Sequence, residues 1–294
     1  MMWAGAVLVV LAATATAMGA EAPIATPTPP AAAAPTPGPG SAPPAPTTPG
    51  SVAQSLDPAI QESTQRYNAG VGALQRRDLE SALYQFRQAI RLNPTLTEAH
   101  HNLGIALLEA RQPAQAAEAF TRALELSPDH LEARLGLGLA YRAGGEYTRA
   151  IAELAQVVPR KADDRELHIV LGDLYRRTTQ PQSAAAQFRE AARLATGDAS
   201  IRFQLGLAYA EAGETDLAIA AFRDAIALGP EEANAYYNLG VAYVQKAQLS
   251  RVEEKRALLQ LALDEFRLFQ QFAPQDSKAA AAAHNVRVLE PQVK

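Results

Sequence analysis

Residues 97–130 read TEAHHNLGIALLEARQPAQAAEAFTRALELSPDH, and residues 131–164 repeat the pattern as LEARLGLGLAYRAGGEYTRAIAELAQVVPRKADD. Gly104 of the first stretch and Gly138 of the second are 34 residues apart. Working outward, glycine recurs in the same phase at Gly70, Gly172, Gly206 and Gly240. Sixteen residues after the first five lie Phe86, Phe120, Leu154, Phe188 and Phe222. Twelve after them lie Ala82, Ala116, Ala150, Ala184 and Ala218. A fixed period of this length marks a chain built from stacked supersecondary units.

Glycine inside a helix costs about 1 kcal/mol relative to alanine. A cost repeated six times in one phase needs a packing reason. A missing side chain leaves a notch, and the bulky residue sixteen positions later, on the returning helix of a hairpin, fills it. Alanines beside that residue let the backbones approach. Pro94, Pro128 and Pro230 close units, because proline cannot continue a helix. In the sixth unit Ala262, Phe266 and Pro274 stand ten residues beyond their phase. An insertion around residues 248–256 accounts for the shift and lengthens either the last two helices or their connector.

The run Leu-Gly-x-x-Tyr recurs as Leu137-Gly138 to Tyr141, Leu171-Gly172 to Tyr175, Leu205-Gly206 to Tyr209 and Leu239-Gly240 to Tyr243. Leu103-Gly104 to Leu107 varies it, and the first unit is weaker, with Ala69 and Ala73 for Leu and Tyr. With the trailing alanine, aromatic, alanine and proline, the pattern resembles the tetratricopeptide-repeat family over about residues 58–275. The resemblance implies an all-α fold, a right-handed superhelical solenoid of six helix-turn-helix units plus a C-terminal capping helix. The units fall at about residues 63–96, 97–130, 131–164, 165–198, 199–232 and 233–276, the last with its ten-residue insert, and the cap at 277–289. Together they make one solenoid domain over 56–294.

The amino-terminal part is different. From Trp3 to Ala17 the chain is apolar or small, too short for a membrane span of about 20 residues. Residues 1–20 read as a secretory leader with Ala15-Thr16-Ala17 as cleavage pattern, or as a retained anchor. Between Glu21 and Gly50 lie 11 prolines and 8 alanines, so helix and sheet are excluded and residues 21–55 are a disordered tether. The expected location is secreted, periplasmic or cell envelope, with membrane contact only through such an anchor.

Composition excludes several function classes. The net charge of −4 leaves no basic excess for phosphate neutralisation, so nucleic acid is not an expected ligand. Cysteine is absent, which rules out disulfides, thiolate metal sites and a cysteine nucleophile. None of the five histidines forms the i, i+4 pair of a helical zinc site; His100 and His168 read as helix-packing residues. Asp163 and Asp164 read as helix cap and first turn. No phosphate loop, serine elbow or catalytic set is present, so neither an enzyme nor a cofactor or metal is expected.

In the resembled family the first helix of each pair lines a concave face. Positions three before, one after and four after each glycine then give Tyr67, Val71 and Leu74; His101, Ile105 and Leu108; Leu135, Leu139 and Arg142; Ile169, Asp173 and Arg176; Phe203, Leu207 and Ala210; Tyr237, Val241 and Val244. This ladder suits an amphipathic helix or an extended peptide with apolar anchors. Arg142 and Arg176 are placed to meet an acidic group near Asp173. The opposing reading is that the apolar residues pack between repeats and the arginines are solvated. The function expected is a non-catalytic scaffold that holds other proteins; the alternative is a regulatory or substrate-presenting subunit of a separately encoded enzyme.

Overall fold

A computed structural model describes residues 57–293. Among the described residues there are thirteen α-helices and no strand. They are α1 (Pro58–Gln75), α2 (Leu79–Leu92), α3 (Thr97–Glu109), α4 (Pro113–Leu126), α5 (Leu131–Ala143), α6 (Tyr147–Val157), α7 (Arg165–Arg177), α8 (Pro181–Leu194), α9 (Ala199–Glu211), α10 (Thr215–Leu228), α11 (Ala233–Leu249), α12 (Val252–Phe272) and α13 (Ala279–Val293). From α3 onward each helix packs on the next, and first helices also touch first helices, as α3 does α5. Residues from Glu62 onward form one compact unit.

The glycine notches are filled as the spacing requires. A Cβ placed on Gly104 would lie 2.8 Å from the Phe120 ring, and one on Gly206 would lie 2.5 Å from Phe222. Phe86, Leu154, Phe188 and Phe266 stand against Gly70, Gly138, Gly172 and Gly240 in the same way. All six plugs are at most 2% exposed. Phe120 has a second close neighbour, since a Cβ on Gly136 of the next unit would come within 2.5 Å of it. Its ring therefore locks one hairpin and fastens it to the following one.

The turn from first to second helix is a second repeated device. Arg77, Arg111, Gly145, Thr179 and Gly213 all have φ between 56° and 80° and recur every 34 residues. The amide of each bonds three residues back, and the next amide bonds five back, as Arg111 N to Leu108 O and Gln112 N to Leu107 O do. This left-handed ending satisfies the last carbonyls of the helix. Glycine takes the conformation without strain at two of the five sites only. Of the second helices, α4 and α8 begin on Pro113 and Pro181, and α2 begins under the Asp78 cap, whose carboxylate accepts from Ser81 N at 3.1 Å.

The sixth pair lacks this turn. Helix α11 has 17 residues where α3, α5, α7 and α9 have 13, and α12 has 21 where α10 has 14. Four and seven added residues, less one lost from the connector, account for the ten-residue shift. The insertion thus lengthens both helices and shortens their connector to Ser250-Arg251.

Other details refine the sequence reading. Helix α6 ends early, passing into a 3₁₀ turn at Val158–Arg160, because Pro159 lacks the amide donor. Asp164 caps α7 through Leu167 N, whereas Asp163 precedes the cap and lies outside the first turn. Ala69 replaces the leucine of later units and is exposed, while Leu137, Leu171, Leu205 and Leu239 are buried. The last helix extends to Val293, past residue 289, and buries Ala282 and Leu289 against the preceding layer.

His100 and His168 are buried, but as hydrogen-bonded clasps rather than as apolar filler. His100 Nε2 meets Pro94 O at 2.9 Å, and His168 Nε2 meets Ala162 O at 3.0 Å. Arg134, in the same phase between them, donates to Pro128 O at 2.8 Å. Three successive units thus hold the turn that enters them by its carbonyl six residues back. A buried carbonyl without such a donor would be costly.

Candidate functional site

The ladder positions sit on α1, α3, α5, α7, α9 and α11. Leu74 and Ile105 are buried, at 4% and 5% exposure, so they belong to the core. Tyr67, His101, Leu108, Leu139, Phe203, Leu207, Tyr237 and Val241 are half-buried. Four of these rest on plugs. The ring centroids of Tyr67 and Phe86 are 6.1 Å apart, of His101 and Phe120 5.8 Å, of Phe203 and Phe222 5.9 Å, and of Tyr237 and Phe266 5.6 Å. Each ring packs inward with one face and keeps part of its surface open. The ladder residues thus pack between helices and still leave part of their apolar surface open.

Polar groups at the first joint are desolvated. Asn102, only 6% exposed, donates from Nδ2 to the Tyr67 hydroxyl at 2.9 Å. Its Oδ1 is buried and receives no hydrogen bond from the described residues. Burial, and next the Glu98 carboxylate, push the Tyr67 hydroxyl above its usual range. Burial and then the neighbouring His130 ring, 4.8 Å away, push His101 down to about 4, so it is neutral at physiological pH.

Around Asp173 the two arginines have different surroundings. Arg176 binds Glu211 of the next first helix, with Nε to Oε2 at 2.9 Å, and donates to Gln204 at 2.8 Å. Asp173 is taken by Arg177, with Nε to Oδ2 at 2.8 Å. Arg142 is half-buried; burial lowers its pKa, nearby Asp173 raises it and Arg177 lowers it. The result is a charged band across α5, α7 and α9. Sequence reasoning missed Asn102, Gln204, Arg177 and Glu211. Their phases, two before and five after the glycine, were the available signal.

Among the described residues no group of three His, Asp or Glu could hold a metal ion. None of their helices is long and apolar enough to cross a membrane.

Comparison with known proteins agrees with this geometry. A tetratricopeptide-repeat family model matches residues 107–174, and a second, described as TPR repeat, matches 74–110 and 206–246. Among solved structures, YrrB, described as a TPR protein with an unusual peptide-binding site, is 26% identical with a TM-score of 0.58, over 68% of this chain and 97% of its own. A crystal structure of MamA is 26% identical with a TM-score of 0.51, over 60% of this chain and 97% of its own. PilF of Pseudomonas aeruginosa shares the fold at 18% identity and a TM-score of 0.51, over 78% of this chain and 99% of its own. No curated protein matches the sequence. The chain is a tetratricopeptide-repeat protein, an all-α solenoid of the class that serves as protein-binding scaffolds.

Proposed function

We propose that this protein is a non-catalytic scaffold that holds peptide or helical segments of other proteins along its first-helix face. The carrying observation is the ladder of half-buried apolar side chains that includes Leu139 and Leu207, with Tyr67, Phe203 and Tyr237 braced on plugs. Such a surface is preorganised, so a partner loses its own conformational freedom without also ordering the receptor. The like-folded YrrB is itself described as a peptide-binding protein.

The proposed setting is the cell envelope or a secreted complex. Its support is the apolar leader of residues 1–20 and the proline-rich stretch of 21–55, both outside the described residues. There the solenoid would organise a complex at the end of a tether. The test compares wild type with Leu139→Glu and Leu207→Glu in affinity purification from the native envelope, with helicity checked by circular dichroism. Loss of specific partners with helicity intact supports the proposal. An unchanged partner set in correctly folded variants refutes it.

A further inference from the structure

Glu265 of α12 is half-buried, and its Oε2 is shut off from water with no hydrogen bond from the described residues. The Tyr243 hydroxyl of α11, within its electrostatic reach, is also buried and makes no hydrogen bond of standard geometry. Burial disfavours the ionised form of Glu265 most, Arg223 of α10 opposes that, and Asp264 of α12 adds to it. Arg223 is exposed, and its guanidinium rests over the Tyr243 ring, 5.6 Å from the centroid. Tyr236 of α11, 6% exposed, feels both Glu265 and Glu231. Lys246, near Tyr243, is bound by Asp216 at 2.6 Å. On α13, Glu290 is held by Arg267 of α12 at 2.5 Å, while His284 and Arg287 are exposed.

A carboxyl oxygen walled off in this way is tolerable while the group is neutral and costly once it is charged. Water reaches that oxygen only if α12 moves off its neighbours. Such motion is cheapest at this end, since α12 belongs to the last pair of a stack in which each unit contacts only the next. We propose that a proton on Glu265 latches the sixth pair and the cap, and that its loss loosens α12 and α13 together while the earlier pairs stay closed. The Tyr237 ring packs on Phe266 and Phe269 of α12, with centroids 5.6 and 5.3 Å away. Where the first-helix face holds a partner, as proposed above, its last rung therefore loses its brace as pH rises.

The test is hydrogen exchange of the full chain, followed helix by helix and corrected for the intrinsic pH dependence of exchange. Glu265 is raised from 4.5 to about 7 in the closed state, and the opened state has the ordinary value. The closed state thus keeps its proton longer, so opening grows through that window and levels off above it. Between about pH 6 and about pH 8 the protection of α12 and α13 should fall about tenfold. Amides of α3 to α6 should show no such fall. Glu265→Gln should hold its protection at both pH values. Arg223→Gln, at an exposed site, should move the fall to higher pH. Equal protection of α12 and α13 at both pH values, an even loss over all helices, or a fall that persists in Glu265→Gln overturns the latch. No partner enters these readings, so an unchanged partner set in Leu139→Glu refutes the binding face and leaves the latch standing.

Discussion

The Phe120 ring fits against Gly104 so closely that even one added carbon, a Cβ at that glycine, would come within 2.8 Å of it. The same ring touches the place where a Cβ on Gly136 would be, in the next unit. One side chain therefore sets both the crossing within a hairpin and the stacking between hairpins. The half-buried face of the first helices is a consequence of that lock.

Phe120→Ala should destabilise the protein by about 3–5 kcal/mol in urea unfolding. Gly104→Ala tests the sign of competing effects. Helix propensity favours alanine by about 1 kcal/mol, whereas displacing a fully buried ring costs about 1–3 kcal/mol. The variant should be less stable than wild type despite its better helix former.

Thr179 is a β-branched residue at φ 56°, in the phase that glycine occupies at Gly145 and Gly213. Relief of that strain should make Thr179→Gly more stable by about 0.5–1 kcal/mol. Gly145→Ala should lose about 1 kcal/mol, since its φ of 80° is unfavourable for any side chain although no atom blocks a Cβ there. Thermal unfolding of the two variants measures both.

This turn shows how far the sequence could be read. The glycine and aromatic phases specify the hairpins, because a side-chain void and its filler must keep step. The left-handed turn was not read from the sequence, since only Gly145 and Gly213 carry the residue that favours it, and Arg77, Arg111 and Thr179 adopt it against their own preference. The bonds from Asn102 to Tyr67 and from Arg176 to Glu211 both join residues 35 apart. A period of 34 places such residues on neighbouring helices but does not say which way a long side chain turns. That is why the ion pairs of Arg176 with Glu211 and of Arg177 with Asp173 were not legible from the spacing.

Two half-buried groups make opposite contributions to the pH dependence of stability. Burial and then His130 lower His101 from 6.5 to about 4 in the folded state. Between those values the unfolded chain binds more protons, so this group makes stability rise with pH, fully present above about 6.5. A shift of this size corresponds to roughly 3 kcal/mol. Burial raises Glu265 from 4.5 to about 7, with Arg223 opposing and Asp264 assisting. There the folded chain binds more protons, and stability falls as pH rises through that window. The two slopes offset in wild type. Chemical unfolding between pH 4 and 7 should show a falling profile for His101→Leu and a rising one for Glu265→Gln.

The measurement that bears most directly on the proposed binding surface is site-specific photo-crosslinking in cells that express the protein. A photoreactive side chain is placed at Leu139, at Leu207 and, on a second helix, at Tyr84, which is 56% exposed. The scaffold account predicts one common partner crosslinked from both ladder positions and absent from Tyr84. A partner captured at Tyr84 and at neither leucine would contradict it.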